Sequence, residues 1–368
     1  MAAVKRPRAL GCHIYSGAFS LGIQRAGFKI AGQWEEGPWG AATFDLNFPK
    51  VPHPLTLEDW PVSQLEHVNL IYANPPCAPW STAGGRLGMA DPRLGFTRNV
   101  FDLALQLRPE ALIVESVPRA WSLNGGQAFY KTFAEAFQRV GYAVTIYLTN
   151  GLLVGGPQWR ERFHFIAHLG ELEIPEPTIT IDDIPLVRDM ISDLAATARW
   201  LGEEPLVPNH VVRRPDEIAL NVLRNMLPGE GVMGGVDRAR AQGLPFRKAR
   251  GLSTGRLRGN APCSTLFDLT TTVHPYVDRP LTLREGARLS GYPDDFVFAL
   301  TTRPDAHDGC STDVSQAVLP PMGYHLGQLV LRSLDSARAE PGSFRVINRL
   351  GIARPWSPGR YVKRGIVD

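Results

Sequence analysis

The fold of this chain is decided by residues 9–34, ALGCHIYSGAFSLGIQRAGFKIAGQW. An apolar run over residues 9–15 predicts a buried strand, and it is followed by the turn Ser16-Gly17-Ala18. A helix is predicted over residues 20–26 and a second strand over residues 28–34. A strand, a turn, a helix and a strand in close succession are the unit from which parallel sheets are built.

The alternation of strand and helix signals continues to about residue 168. Further strands are predicted over residues 68–73, 111–114, 143–148 and 163–167, and helices over residues 100–107 and 128–140. This alternation predicts an α/β fold with an open, mostly parallel sheet covered by helices on both faces. Ligands bind such sheets at the carboxyl ends of the strands, so we expect the functional residues there.

A change of character after His168 predicts a second domain. Residues 169–278 are rich in proline, glycine and arginine and have weak periodicity, whereas helical patterns return after residue 280. We therefore expect one domain from residues 1–168 and 279–335, and a smaller, irregular domain from residues 169–278. Residues 336–368 are expected to be a basic C-terminal extension.

The composition excludes several classes of protein. Hydrophobic residues make up 44% and charged residues 20% of the 368 positions, which is ordinary for a globular protein. No apolar stretch approaches the length of a membrane span, and the basic N-terminus is not followed by a signal-peptide pattern. Four scattered cysteines argue against a disulfide scaffold and for a reducing compartment.

The net charge of +3 is unevenly distributed. Residues 209–260, called the basic stripe below, hold ten lysines and arginines against four acids, which gives +6 and leaves −3 for the remainder. A local excess of positive charge in a near-neutral protein favours a polyanion partner. The alternative is a solvated, arginine-rich surface, since only six of the 39 cationic residues are lysine.

A cysteine follows the strand predicted at residues 68–73. The segment reads Asn74-Pro75-Pro76-Cys77-Ala78-Pro79-Trp80-Ser81. Because prolines fix φ and remove amide donors, it can continue neither as strand nor as helix. Cys77 therefore lies on a rigid turn above the sheet, and in a chain without a CxxC pair it is a candidate nucleophile. Taken singly, such a cysteine is more often a small buried hydrophobic residue.

Two features near the first turn indicate a ligand that carries a nucleoside. The turn at residues 15–22 is not a GxGxxG motif, but it lies between a strand and a helix, where backbone amides can hold a carboxylate. The pair Glu35-Glu36 closes the second strand. A carboxylate at that position usually binds a ribose diol.

With the later segments added, the chain resembles the DNA cytosine-5 methyltransferase family. Its motifs occur in the family's order: Tyr15 and Gly17 in the methionine-binding motif, Glu35 as the ribose acid, Pro76-Cys77 as the nucleophile motif, Glu115-Ser116-Val117 at Glu-Asn-Val, Gln158-Trp159-Arg160-Glu161-Arg162 at Gln-x-Arg-x-Arg, Thr265-Leu266 at Thr-Leu, residues 284–293 at the Arg-Glu helix, and Ser315-Gln316-Ala317-Val318 at the last motif. The resemblance implies a Rossmann-like, S-adenosylmethionine-dependent methyltransferase domain in residues 1–168 and 279–335. Residues 169–278 would be the target-recognition domain, with DNA in the cleft between the two.

The resemblance also implies catalytic roles for Cys77, Glu115, Arg160 and Arg162. Carbon 5 of cytosine is too weak a nucleophile to accept a methyl group unaided, and addition of the Cys77 thiolate at carbon 6 makes it enamine-like. Glu115 would hydrogen-bond ring nitrogen 3 as charge develops. Arg162, with Arg160 nearby, would orient Glu115 and the base, which must be flipped out of the duplex to react.

The other site residues follow from the same resemblance. S-Adenosylmethionine would be bound by Tyr15, Ser16, Gly17, Ala18, Phe19, Ser20, Glu35, Glu36, Asp59, Asn74, Pro76, Gln316 and Ala317. Double-stranded DNA would be contacted by Ser81, Arg247, Lys248, Arg250, Arg256 and Thr265. We expect no metal site, no membrane contact and a monomer, in the cytoplasm of a prokaryote or a virus-infected cell and associated with the nucleoid.

The chain departs from the family pattern at several positions. Ser116 stands where an Asn usually braces the nucleophile loop, and Ala78-Pro79-Trp80 replaces a Gln-containing stretch. Phe19 and Ser20 replace two glycines of the first motif, and Ser315-Gln316 replaces Gly-Asn. Gln is one methylene longer than Asn and its amide donates two hydrogen bonds. We therefore hypothesise that the cofactor can be a carboxylated relative of S-adenosylmethionine, with plain methyl transfer as the favoured alternative.

Two further functions stay open at the level of sequence. One is methylation of RNA cytosine, although the Cys-Phe-Thr tripeptide usual in the tRNA-directed branch does not occur in this chain. The other is a DNA-binding protein that has lost catalysis. Cys77, Glu115 and Arg162 argue against such a loss, whereas Ser116 leaves it open.

Overall fold

The computed structural model describes residues 6–54, 66–82, 84–123, 125–246, 255–299 and 304–358. The strands in these residues are β1 (Arg8–Cys12), β2 (Lys29–Trp34), β3 (Leu70–Ala73), β4 (Ala111–Ser116), β5 (Ala143–Asn150), β6 (Glu161–His168), β7 (Arg199–Trp200), β8 (Val211–Val212) and β9 (Phe344–Asn348). The helices are α1 (Ala18–Ala26), α2 (Pro38–Asn47), α3 (Leu94–Leu107), α4 (Arg119–Ser122), α5 (Gly126–Arg139), α6 (Val187–Ile191), α7 (Glu217–Leu223), α8 (Val232–Ala241), α9 (Leu283–Leu289), α10 (Pro304–Gln316), α11 (Pro320–Leu334) and α12 (Leu350–Ala353). No helix in the described part of the chain is long and apolar enough to cross a membrane.

The chain divides into two compact units. Unit 1 comprises residues 1–154, 161–178 and 317–352, and unit 2 comprises residues 155–160, 179–316 and 353–368. This division differs from the predicted one, because residues 279–316 group with unit 2. It also places β9, within the predicted C-terminal extension, in unit 1, where it pairs with β5.

Unit 1 is built on a seven-stranded sheet with the order β2-β1-β3-β4-β6-β5-β9. The first four strands pair in parallel, and β9 is parallel to β5. β6 is antiparallel to both β4 and β5. The predicted α/β fold with a mostly parallel sheet is therefore confirmed. The strand order reverses between β1 and β3, since the chain moves outward from β1 to β2 and then returns to the other side of β1.

The sheet of unit 1 is covered on both faces. All residues of β3, β4 and β5 are buried, as expected for strands between two layers of helices. On one face, Phe101 of α3 stacks on Phe133 of α5, with ring centroids 4.2 Å apart, and meets Phe165 of β6 edge-on. Elsewhere in the unit, α1 packs on α11 so closely that a Cβ added at Gly22 would lie 2.4 Å from the carbonyl oxygen of Pro320.

The first turn begins earlier than the sequence predicts. β1 ends at Cys12 rather than at residue 15. His13 and Tyr15 have φ values of 52° and 51°, which are left-handed conformations incompatible with a strand. The chain therefore turns at residues 13–17, directly above the end of β1.

Unit 2 has a two-stranded sheet, β7-β8, a small hydrophobic cluster around Val222 and Val236, and buried ion pairs and helix caps. Glu285 is fully buried, accepts two hydrogen bonds from Arg279 at 2.7 and 2.8 Å, and forms a capping box with Thr282 at the start of α9. Arg284 is also fully buried and donates to backbone carbonyls, among them that of Phe296 at 2.8 Å. The Arg-Glu motif of the sequence thus has a structural function in this unit.

Candidate active site

Four strand ends meet at one edge of the unit 1 sheet. Cys12 pairs with Trp34 and with Ala73, and Ala73 pairs with Val114, so that β2, β1, β3 and β4 end side by side. β2 is followed by Glu35, β1 by the first turn and β3 by the turn that carries Cys77. Glu115 lies near the end of β4. This edge includes the point between β1 and β3 where the strand order reverses, which is where open α/β sheets bind ligands.

The turn that carries Cys77 is closely held by backbone contacts. The amides of Trp80 and Ser81 both donate to the Cys77 carbonyl at 3.0 Å. Gly84 approaches Ala78 so closely that an added Cβ would lie 2.1 Å from the Ala78 carbonyl oxygen. Only glycine can therefore occupy position 84 without moving the turn.

Cys77 differs from the other cysteines in its exposure. It is half-buried, whereas Cys12, Cys263 and Cys310 are buried. Burial raises the pKa of the Cys12 thiol to about 12 and also raises the pKa of Cys263, which makes these two thiols inert. The thiol of Cys77 is thus the one that a reagent or a substrate can reach.

Glu115 is a buried carboxyl group with a polar side chain against each of its oxygens. It is 2% exposed. Nε of Arg162 contacts Oε1, and the side-chain amide of Asn74 donates to Oε2. Arg162 reaches this position because β6 is antiparallel, so that the start of β6 lies beside the end of β4, where Glu115 pairs with His164. Asn74, which was predicted to bind the cofactor, donates from its side-chain amide to Glu115.

An ion pair between Asp91 and Arg93, called the Asp91–Arg93 clamp below, holds the loop that follows Cys77. Nη2 of Arg93 donates to Oδ2 of Asp91 at 2.7 Å and to the Gly84 carbonyl at 3.1 Å. Ser81, which was predicted to contact DNA, accepts from the Gly84 amide at 3.2 Å. The hydrogen bond to Asp91 raises the pKa of Arg93. The Asp91–Arg93 clamp therefore ties the loop after Cys77 to the backbone of Gly84.

The first turn and Glu35 form a cradle that fits a nucleoside bearing a carboxylate. Glu35 accepts from the amides of Tyr15 and Gly37, both at 2.8 Å, and its burial raises its pKa. Each carboxylate oxygen has a further lone pair for a hydroxyl group. Gly17 has a φ of 93°, and a Cβ added there would lie 2.9 Å from the ring of Phe44. The first N–H groups of a helix have no intrahelical acceptor, so those of α1 suit a carboxylate.

The side chains of Phe19 and Ser20 do not form a wall of this cradle. Both residues are fully buried. Phe19 packs edge-on against Tyr72 with ring centroids 4.9 Å apart, and Oγ of Ser20 lies 2.7 Å from the Tyr72 hydroxyl. Because they point into the core beneath α1, only their backbone amides are available to a cofactor. The hypothesis of a carboxylated cofactor thereby loses one of its two structural supports.

Several predicted site residues belong to unit 2. Arg160 is 3% exposed and donates to the backbone carbonyl of Gln316 at 3.1 Å, at the end of α10. The Gln316 side chain is exposed. The Thr265 hydroxyl donates to the Trp159 carbonyl at 2.5 Å. Within unit 2, these contacts fix the segment that carries Trp159 and Arg160. Ala317, the next residue after Gln316, is buried in unit 1.

The described part of the basic stripe is largely neutralised. Arg256 is 6% exposed and donates to the carbonyls of Leu223 and His274 and to the carboxylate of Asp278. It is therefore a buried structural residue and is not free to contact DNA as predicted. Ion pairs with acids are also formed by Arg213, Arg214, Arg224, Arg238 and Arg240. The predicted site residues Asp59, Arg247, Lys248 and Arg250 lie outside the described residues.

Three features of this edge were not recognised in the sequence. They are the contact of Asn74 with Glu115, the Asp91–Arg93 clamp, and the burial of Trp80 against Tyr130, whose ring centroids are 6.4 Å apart. The spacing of Asp91 and Arg93 two residues apart is a local signal for the clamp. The other two depend on tertiary contacts. The described residues contain no group of three or more histidine, cysteine or acidic side chains that could hold a metal ion.

Comparison with known proteins agrees with this geometry. Residues 14–330 match the family model of the C-5 cytosine-specific DNA methylases. The chain is 31% identical over 302 residues to the Type II methyltransferase M1.HphI of Haemophilus parahaemolyticus, covering 77% of each chain. It is 27% identical over 338 residues to M.MthTI of Methanothermobacter thermautotrophicus, covering 87% of this chain and 96% of that protein.

Solved structures share the fold. A candidate DNA modification methyltransferase encoded within an E. coli prophage superimposes with a TM-score of 0.65 at 20% identity, covering 90% of this chain and 100% of that one. Dnmt2 methyltransferase of S. pombe gives a TM-score of 0.58 at 14% identity, with the same coverage. The fold, the strand-end residues and a family match over most of the sequence lead to one assignment: this chain belongs to the C-5 cytosine-specific DNA methylases, which are S-adenosylmethionine-dependent DNA methyltransferases.

Proposed function

We propose that this protein methylates carbon 5 of a cytosine flipped out of double-stranded DNA, through a covalent bond between Sγ of Cys77 and carbon 6 of the base. The observation that carries the proposal is the arrangement at the edge of the unit 1 sheet. A reachable thiol follows β3, and a buried carboxylate held by Arg162 and Asn74 follows on β4, the neighbouring strand.

In the first step, Sγ of Cys77 adds to carbon 6 and the electron pair of the carbon 5–carbon 6 double bond moves into the ring. For this step Glu115 is protonated, and it stabilises the developing charge by donating a hydrogen bond, or its proton, to ring nitrogen 3. Arg162 and Asn74 hold the carboxyl group in place while its charge changes. Carbon 5 is thereby made nucleophilic.

S-Adenosylmethionine supplies the electrophilic methyl group when it is bound, and Glu35, the first turn and the start of α1 would hold its ribose and carboxylate. After carbon 5 has gained the methyl group, it loses its proton to a base. The electron pair restores the carbon 5–carbon 6 double bond, and the bond to Sγ breaks with its electron pair returning to sulfur. Cys77 is thus regenerated as a thiolate.

Plain methyl transfer is the reaction that the relatives support, since their names are those of methyltransferases. The alternative of a carboxylated cofactor retains only the exposed Gln316 as its argument. Target recognition is assigned, within the same proposal, to residues 169–278. Mass spectrometry of nucleosides from treated DNA distinguishes 5-methylcytosine from a carboxymethyl product when both cofactors are offered together.

The covalent step is tested with duplex DNA containing 5-fluorocytosine, whose fluorine blocks the final loss of the carbon 5 substituent. Wild-type protein with cofactor should form a denaturation-resistant adduct that peptide mapping places at Cys77. Cys77→Ser should form none, because the serine hydroxyl is a weak nucleophile at neutral pH. Cys263→Ser, a change at a buried cysteine of unit 2, should react as the wild type does.

An adduct on the Cys77→Ser protein would remove Cys77 from this function. The proposal would also be overturned by a wild-type protein that methylates cytosine in DNA without forming an adduct on the fluorinated base.

A further inference from the structure

A buried side-chain oxygen beside Glu115 lacks a hydrogen-bond donor. Asn74 is 4% exposed, and its Nδ2 donates to Oε2 of Glu115. Its Oδ1 is buried as well and has no hydrogen-bond partner in the part of the chain that the structure describes. Because a buried acceptor without a donor is costly, such an atom next to a predicted catalytic group indicates a ligand that supplies the donor.

The sequence Asn74-Pro75-Pro76 keeps Oδ1 away from local backbone donors. An asparagine side chain often accepts from the backbone N–H two residues later, but positions 75 and 76 are prolines and have no N–H. The backbone of Asn74 is also held, since its amide donates to the Cys12 carbonyl at 3.1 Å and a residue before proline is largely restricted to extended conformations. Asn74 is thus fixed at the strand end, and the nearest backbone cannot satisfy its oxygen.

Oδ1 lies where a base in contact with Glu115 would be. Ala73 of β3 pairs in parallel with Val114 of β4, so Asn74 and Glu115, the next residue on each strand, lie side by side. Oδ1 is bonded to the same carbon as Nδ2, which contacts Glu115, and is therefore also beside the carboxyl group. Cys77 follows on the turn three residues after Asn74. A thiol, an acid and a free acceptor thus share one edge of the sheet.

This set of groups matches the edge of cytosine. Ring nitrogen 3 of cytosine is an acceptor, and the amino group on carbon 4, directly beside it, is a donor. A protonated Glu115 satisfies nitrogen 3, and an acceptor next to Glu115 is what the amino group requires. Thymine has a carbonyl oxygen at that place, which would face Oδ1 with no proton between the two acceptors. Enzymes that flip a base read it by hydrogen bonds to this same edge.

We propose that Asn74 is a specificity-determining residue, whose Oδ1 accepts a hydrogen bond from the 4-amino group of the flipped cytosine while its Nδ2 holds Glu115. The inference rests on the proposed function, because that function places the base against Glu115. It assigns the free oxygen of Asn74 to the target base, whereas the sequence had assigned the residue to the cofactor.

The inference is tested with two DNA duplexes that differ by one amino group. One has 5-fluorocytosine at the methylated position, and the other has 5-fluoropyrimidin-2-one, the same ring without the 4-amino group. The second-order rate constant of adduct formation at Cys77 is measured for each duplex in the presence of cofactor. The two bases differ in intrinsic reactivity, but this difference is the same for every variant. The ratio of the two rate constants can therefore be compared between variants.

Asn74→Leu replaces the amide by an apolar group of similar size. We expect the ratio, cytosine over the amino-free base, to fall about tenfold from the wild-type value, as for the loss of one buried hydrogen bond. If Asn74 only holds Glu115, both rate constants fall together and the ratio is unchanged, which would overturn the inference. Asn69→Leu is the matched control, since Asn69 precedes β3 at its opposite end and accepts from the Arg8 amide at 2.7 Å. It should keep the wild-type ratio.

Asn74→Asp separates the two functions of the side chain and stays close to its natural shape. It keeps an oxygen at the place of Oδ1 and lacks the N–H group that contacts Glu115. We expect both rate constants to fall and the ratio to stay close to that of the wild type. A ratio lowered as far as in Asn74→Leu would refute the inference.

Failure of the proposed function gives a different result from failure of this inference. A wild-type protein that forms no adduct with 5-fluorocytosine DNA contradicts the proposed function, and the inference falls with it. An adduct on the wild type together with an unchanged ratio in Asn74→Leu contradicts the inference alone.

Discussion

The side chain of Glu115 is buried, and its oxygens depend on contacts from neighbouring side chains. A carboxylate removed from water is costly unless its oxygens have donors, and here Arg162 and Asn74 provide them. The two donors lie on different strand ends, so the sheet must be complete before the carboxylate is satisfied. A group held in this way can gain and lose partial charge without moving, which is what a reaction on the cytosine ring requires.

This argument predicts the effect of Glu115→Gln. Gln keeps the shape of the side chain but cannot supply a carboxyl proton, so we expect the single-turnover rate to fall about 10²-fold or more, as for a positioned acid. DNA affinity should change little, because the interaction matters as charge develops on the ring. Glu110→Gln is the control, since Glu110 lies at the opposite end of β4 beside His67. A rate within threefold of wild type would reject the role of Glu115.

At the scale of elements, the closest packing in unit 1 is that of α1 on α11. A Cβ added at Gly22 would lie 2.4 Å from the Pro320 carbonyl oxygen and 2.5 Å from the Tyr324 amide nitrogen, both backbone atoms. A backbone cannot rotate away as a side chain can, so the helices must separate to admit it. Because α1 begins at the first turn, this contact also positions the predicted cofactor cradle.

We therefore expect Gly22→Ala to destabilise the protein by about 3 kcal/mol, the upper part of the range for overpacked sites. The matched control is Gly95→Ala on α3, where no atom lies within 4 Å of the added Cβ. That change should be neutral, or stabilise by up to about 1 kcal/mol through helix propensity. Urea unfolding of the two variants is the measurement, and equal midpoints would contradict the packing argument.

The elements predicted from the sequence are those whose formation depends on the local pattern of apolar residues. The elements that were missed depend on pairing with distant strands. The strand, turn and helix of residues 9–26 were predicted because apolar periodicity and a glycine turn mark them. β9 was missed because Phe344–Asn348 is a short strand with mostly exposed residues, which pairs with β5 from far along the chain. The antiparallel direction of β6, which brings Arg162 to Glu115, is a property of pairing that periodicity does not contain.

The same distinction applies to the candidate site. Cys77, Glu115 and Arg162 were selected from motifs, and the structure places the last two in contact. Their chemical roles stay proposals. Arg256 was selected because it lies in an arginine-rich segment, but backbone carbonyls and Asp278 enclose it. The composition of a segment gives the number of its charged residues. It does not show which of them are paired and buried, so a structural arginine such as Arg256 cannot be recognised from sequence.

For the whole molecule, buried histidines predict how stability depends on pH. Burial lowers the pKa of His13, His168, His274 and His325 to about 4, and that of His164 to about 3, from an ordinary value of 6.5. In the unfolded chain these side chains take up protons as the pH falls below 6.5, whereas the folded protein does not. Stability must therefore fall as the pH is lowered from about 6.5 towards 4.

Between about pH 6.5 and 4, each such histidine lowers the free energy of unfolding by about 1.4 kcal/mol for each unit by which the pH falls. We expect the urea midpoint to be nearly constant above pH 7 and to drop steeply between pH 6.5 and 5. Glu35 acts in the opposite direction, since its pKa is raised by burial, but it is one group against six, because burial also lowers the pKa of His210. In His168→Gln, the difference in bound protons between the unfolded and folded states should be about one smaller, so the free energy of unfolding should depend less steeply on pH. A midpoint that does not change between pH 7.5 and 5 would show that these histidines are protonated in the folded protein.

The distribution of charge over the molecule bears on DNA binding. In the described part of the basic stripe, Arg213, Arg224 and Arg240 lie 3.1, 3.7 and 3.3 Å from carboxylates. A paired arginine brings little net attraction to a phosphate, because its charge is already partly compensated. The segment containing Arg247, Lys248 and Arg250 has no acid between residues 238 and 267 to offset it, so most of the attraction should come from there.

Neutralising Arg247, Lys248 and Arg250 together should weaken DNA binding and flatten its salt dependence. If each contacts one phosphate, the slope of log affinity against log salt should decrease by about 0.9 per residue, or about 2.7 in total. Neutralising the three paired arginines removes the same formal charge and should change the slope by much less. Binding titrations of both triple variants between 50 and 200 mM salt make the comparison. Equal changes of slope would mean that the net charge of the stripe, and not these three residues, attracts the DNA. If the slope is unchanged but discrimination between target and non-target DNA is lost, the three residues contact bases instead of phosphates.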